Sequence, residues 1–167
     1  MADAHETLLM FAEVAVAIAG FSGIIIAFGR RSLGSLTRLE LRRLSNLFAL
    51  SGFLLLSSLL GVTLLHMEAT DVRYVWRSLS GVAVIFGTLW LVVDCRKVTK
   101  LDEAERSQVK AWIFYPFTLI AVFGVALQAA NVLFIAKSWP FFLGLFFVVA
   151  FAFQQFILLV RMGFRDV

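Results

Sequence analysis

Residues 12–29 of the chain read AEVAVAIAGFSGIIIAFG. Carried back to Leu8, the run is free of charge as far as Phe28 except at Glu13, and its length meets the roughly 20 residues that a helix needs to cross a bilayer. Four further stretches carry no charged residue: Leu44–Leu65, Ser78–Val93, Ala111–Ala136 and Ser138–Val160. The third of the five segments is short, and Val75, Trp76 and Arg77 lengthen it, because an arginine near a helix end sends its guanidinium to the interface. A four-crossing chain with this segment re-entrant is the alternative.

Composition points the same way. The chain is 61% hydrophobic and 16% charged, with a mean hydropathy of +0.93. A soluble domain of 167 residues would have too few polar groups to clothe its surface. The expectation is an all-α polytopic membrane protein, a single membrane domain over 1–167 with helices over 5–29, 37–66, 75–95, 101–136 and 139–161. The first run follows Asp3, His5 and Glu6 rather than a basic leader, so it reads as a retained helix and not a cleaved signal.

Charge gives the direction. A five-helix path places Arg30, Arg31, Arg38, Arg42 and Arg43, then Arg96, Lys97, Lys100, Arg106 and Lys110, then Arg161 and Arg165 on one side. These are twelve of the 15 basic residues; Arg73, Arg77 and Lys137 fall on the other side. The positive-inside rule therefore predicts an outside N-terminus and a cytoplasmic C-terminus, with a bacterial inner membrane as the expected location. Trp76 and Trp139 fall at outer helix ends and Trp90 and Trp112 near inner ends, the levels that indole rings favour. Thr37 followed by Glu40 is a capping-box pattern, and Thr99 followed by Asp102 a weaker cap. Both predict that the second and fourth helices extend into the cytoplasm as charged stalks. For residues 33–44 an interfacial amphipathic segment on anionic lipid is the alternative. Aligning the two caps outlines two parallel hairpins, turning at HMEATD and AKSWP.

Several residues stand out against this background. An intramembrane carboxylate must be neutralised, paired or hydrated, which makes Glu13 a functional candidate. Counted from Leu8 it lies roughly 7 Å below the outer end. Snorkelling, or a structural ion pair with Arg73 or Arg77, is the plainer reading. Glu6 falls two turns earlier on the same face, so the two could line a pore mouth and concentrate cations. Gln128 and Asn131 share one face of the fourth helix at a similar depth to Glu13, as interhelical glue or part of an aqueous route. Gln154 and Gln155 lie near the inner leaflet, with Asn46 the nearest polar residue in depth. Ala15, Ala19, Gly23 and Ala27 recur every fourth position, with Gly20 beside them, a seam suited to close helix packing. Pro116 is a candidate bend or hinge.

The missing patterns narrow the chemistry. There is no HExxH, GxSxG, phosphate loop or dinucleotide fingerprint, so no enzyme, metal or cofactor is expected. His66, Glu68 and Asp71 in HMEATD are potential metal ligands, with a polar turn the stronger reading. The single Cys95 forms no internal disulfide, and its basic neighbours are weak grounds for lipidation. The net charge of +4 is an orientation signal, and nucleic acid is not an expected partner. What remains is a homo-oligomeric channel in the lipid bilayer, self-associated around an axis and conducting an inorganic cation past an acidic outer site at Glu13. A structural or regulatory membrane subunit contacting a cytoplasmic protein partner is the alternative, and a small solute transporter a further one.

Overall fold

The computed structural model describes residues 2–28, 37–67, 71–101, 103 and 111–163. All regular structure among them is helical: α1 (Ala2–Phe28), α2 (Arg38–Leu65), α3 (Val72–Thr99), α4 (Ala111–Ala130), a π-helical turn at Asn131–Ile135, and α5 (Ser138–Gly163). Five helices are each long and apolar enough to cross a membrane, as an integral membrane protein requires.

Local chemistry explains the boundaries. Thr37 accepts from the Glu40 amide at 3.2 Å while the Glu40 carboxylate accepts from the Thr37 amide at 2.7 Å, a complete capping box that satisfies two donors at the start of α2. Asp71 starts α3 by accepting from the Arg73 amide at 3.0 Å. Arg96 and Lys97 suit the last turn of α3, where the helix dipole is negative. These end signals make α3 a continuous helix of 28 residues, longer at both ends than its apolar stretch. Thr99 closes α3, its hydroxyl donating to the Arg96 carbonyl at 2.9 Å; Asp102 and residues 104–110, expected to begin the fourth helix, lie outside the described residues.

Successive helices run antiparallel. Gly61 of α2 sits against Leu8 and Leu79, where an added Cβ would lie 2.8 and 3.2 Å from their methyl groups, so a larger residue would make these side chains shift. At the opposite end Arg42 of α2 meets Asp94 of α3. Ser80 of α3 bonds to Asn131, and Gln128 of α4 to Pro140 of α5. Helix α2 packs against α1, α3 and α5, while α4 packs against α3 and α5. The core gathers Leu8, Leu54, Leu79, Phe141 and Leu145, and the Phe53 and Phe86 rings stack at 4.1 Å. Lipid chains are as apolar as these side chains, so this packing holds the bundle through dispersion and close fit. Trp76, expected at a lipid interface, is buried in this core against Phe141 and Phe142, because Val75, Trp76 and Leu79 share the inward stripe of α3. Trp139 is exposed.

Candidate functional site

One face of α1 has no partner among the described residues. The helix packs on α2 and α5 through Leu8, Ala12 and Ala15, and Glu6, Glu13 and Gly20 lie exposed on the other side. Their seven-residue spacing is two helical turns, and exposed Met10, Ala17 and Ile24 extend the same stripe. No ion pair from Glu13 to Arg73 or Arg77 forms among the described residues. Because α1 begins at Ala2, Glu13 is about 16 Å along the helix from its first residue, and it sits midway in the Asp3–Ile24 segment that is apolar enough to span.

The small-residue seam divides between two faces. A row taken every fourth residue advances by about 40° per step around a helix. Ala15 is therefore buried and Ala19 half-buried, whereas Gly23, with neighbouring Gly20, is exposed. A Cβ added at Gly20 or Gly23 would meet nothing within 4 Å. The Ala27 side chain lies outside the described residues.

The amides of the fourth segment are used inside the bundle. Asn131 is fully buried; its Nδ2 donates to Ser80 Oγ at 2.8 Å and to the Lys137 carbonyl at 3.0 Å, and its Oδ1 accepts from the Lys137 amide at 3.0 Å. This ring of bonds fastens the π-helical turn, which ends on Ala136 with a left-handed φ of 52°, to α3. Gln128 Nε2 donates to the Pro140 carbonyl at 2.6 Å while its buried Oε1 has no partner among the described residues. Both amides make hydrogen bonds inside the bundle. Glu13 is exposed on the outer side of α1 whereas the two amides are buried, so the three do not form one layer within a chain.

Gln155 is buried and Gln154 half-buried, with a long bond of 3.4 Å between their side chains. Pro116 lies within α4 and is exposed. Two residues later Thr118 Oγ1 donates to the Phe114 carbonyl at 2.9 Å. Between α2, α3, α4 and α5 runs a cavity of about 60 Å³ lined by apolar groups such as Leu50, Phe86, Ala121 and Phe151. Such a lining favours a dry interior.

A charged cluster at the start of α2 escaped the sequence reading. Arg42 Nε and Nη2 donate to the two oxygens of Asp94 at 2.9 and 2.6 Å, and Asn46 Nδ2 donates to the same carboxylate. The guanidinium lies 6.0 Å from the centre of the Phe114 ring, a cation–π distance. Arg43 donates to the Leu158 carbonyl of α5 at 3.2 Å, and Lys97 to Ser45 Oγ at 2.9 Å. Glu40 and Arg43 of the same helix are both buried. The signal was present in the spacing: Arg42 and Asn46 are four apart, on one face of a helix, and Asp94 lies as far before the end of α3 as Arg42 lies after Thr37.

Comparison with protein-family models, with curated proteins and with solved structures finds no match to this chain.

Proposed function

We propose that the protein is a homo-oligomeric membrane channel for inorganic cations, assembled through the exposed face of α1 with Glu13 toward a hydrated axis. The exposed Glu13 side chain carries this reading. An acidic residue at the centre of a lipid-facing helix costs on the order of 3 kcal/mol per chain, and copies sharing a watered axis remove that cost from each. Three observations support the arrangement. Gly20 and Gly23 leave room for close approach on the same side. Glu6 continues the acidic stripe toward the end of the helix, where rings of carboxylates attract cations and repel anions. The cavity within the chain is apolar, which favours a route between subunits over one through a bundle. On this reading Gln128, Asn131 and Gln155 act by holding the subunit together, and Pro116 bends α4.

The proposed orientation follows the basic residues: N-terminus outside, C-terminus in the cytoplasm, and the charged starts of the second and fourth helices on the cytoplasmic side of a bacterial inner membrane. A structural or regulatory subunit is the second reading, favoured by the use of the buried amides in packing; a different membrane protein would then cover α1.

Cysteine crosslinking in native membranes separates the two. In a Cys95→Ser background, Gly20→Cys should link copies of this chain to one another, while Ile85→Cys on the exposed face of α3 should not. Crosslinks from Gly20→Cys to a different protein alone would replace the channel reading with the subunit reading.

A further inference from the structure

Sequence separates the two histidines of this chain; folding brings them together. His5 near the start of α1 and His66 at the C-cap of α2 meet edge to face, with ring centroids 5.0 Å apart and planes at 70°. His66 Nδ1 lies 2.9 Å from the Val62 carbonyl oxygen. A carbonyl can only accept, so Nδ1 is the donor, and in the neutral ring this leaves the Nε2 lone pair for a ligand. Metal-binding histidines are oriented in this way, one ring nitrogen donating to the backbone and the other free for the ion. Two imidazoles on one tetrahedral zinc, each with Zn–N of about 2.0–2.1 Å, hold their centroids about 5 Å apart. The His5 and His66 rings have that separation, and turning one ring out of the edge-to-face contact aims both lone pairs at one ion.

The surroundings favour a cation. His66 is exposed and His5 half-buried, so an ion has access, and Asp3 and Glu6 are exposed on the same turns of α1. Their field raises the local concentration of cations. Imidazole pairs suit zinc, copper and nickel in preference to calcium or magnesium, which seek oxygen ligands. No set of three or more His, Cys, Asp or Glu side chains converges on one point among the described residues, so the protein supplies two ligands and water completes the shell. Glu68, beside His66 in sequence, lies outside the described residues.

We propose that His5 and His66 form an exchangeable site for a divalent transition-metal ion, zinc being its simplest occupant, which clips the start of α1 to the end of α2. The inference stands independently of whether the protein conducts ions.

The test uses the full chain in detergent, without a histidine tag, labelled with ¹⁵N-histidine. With 2 histidines in the chain, the long-range ¹H–¹⁵N spectrum holds two ring systems. Titration with zinc chloride should shift an Nε or Nδ signal of both rings together and saturate at one ion per chain. His5→Gln and His66→Gln should each weaken binding by more than about tenfold, the least that loss of an orienting partner usually costs a metal site. A shift confined to one ring, the absence of saturation, or parental affinity in the double variant would overturn the proposal. The unsubstituted spectrum keeps the test valid if a variant folds poorly.

Discussion

Arg42 and Asp94 join α2 to α3 by two parallel hydrogen bonds of 2.9 and 2.6 Å, with both side chains about nine-tenths buried. This is a fork-to-fork pair, the strongest geometry available to arginine and a carboxylate. Its partners are chosen by position: Asn46, one turn along α2, bonds to the same carboxylate, and Phe114 covers the guanidinium from α4.

Removing one member leaves the other charged and buried. Asp94→Leu should therefore destabilise the folded chain by about 3–5 kcal/mol, whereas Arg42→Met combined with Asp94→Leu should recover most of the loss, because the desolvation penalty disappears with the pair. Reversible unfolding in mixed micelles measures both. A double variant as unstable as the single one would assign the loss to packing instead of charge.

Asn131 connects Ser80 to both backbone groups of Lys137. Asn131→Ala should strand these groups and cost at least about 2 kcal/mol, and Ser80→Ala, which removes one neutral bond, about 1 kcal/mol. Equal effects from the two would contradict the ordering of the bonds by number.

Ala136 holds a φ of 52°, a left-handed conformation that disfavours a residue with a Cβ by about 1–2 kcal/mol. Ala136→Gly should be neutral or stabilising by up to about 1 kcal/mol once the greater freedom of the unfolded glycine chain is counted. Ala136→Val should destabilise. A clear loss of stability in the glycine variant would show that the turn is not strained.

Gly144 lies against the side chain of Gln128, where an added Cβ would collide with Nε2. Gly144→Ala should push the amide away from the Pro140 carbonyl and cost about 1–3 kcal/mol. Adding Gln128→Ala should return part of that loss by making room. Strict additivity of the two changes in a double-mutant cycle would rule out the contact.

The sequence made helix positions legible, but neither how far Glu13 lies along its helix nor which way each side chain turns. Charge-free length located all five spans, and Thr37 with Glu40 predicted a capping box that is present in full. The same counting set Glu13 and Asn131 at one level, yet Glu13 is exposed midway along its span and Asn131 is buried in the last turn of its own; counting along one segment carries no information about azimuth. Asp94 was read as the border of an apolar run because charges near helix ends usually reach water. Its burial depends on Arg42, distant in sequence, and no single-segment pattern reports that pairing. The small-residue row from Ala15 was read as one seam, although its drift around the helix sends Ala15 inward and Gly23 outward. The proximity of His5 to His66 is not legible in the sequence, since it arises only from the antiparallel pairing of α1 and α2.

Cation conduction past Glu13 is most directly tested by single-channel recording in planar bilayers under a salt gradient. The purified parent protein should give discrete currents whose reversal potential lies toward that of the cation. Glu13→Gln should move the reversal potential toward zero while leaving the oligomer, followed by crosslinking, at parental abundance. Absence of discrete currents across voltage, pH and candidate ions from a protein shown to be oligomeric, or an unchanged reversal potential in Glu13→Gln, would contradict the channel reading.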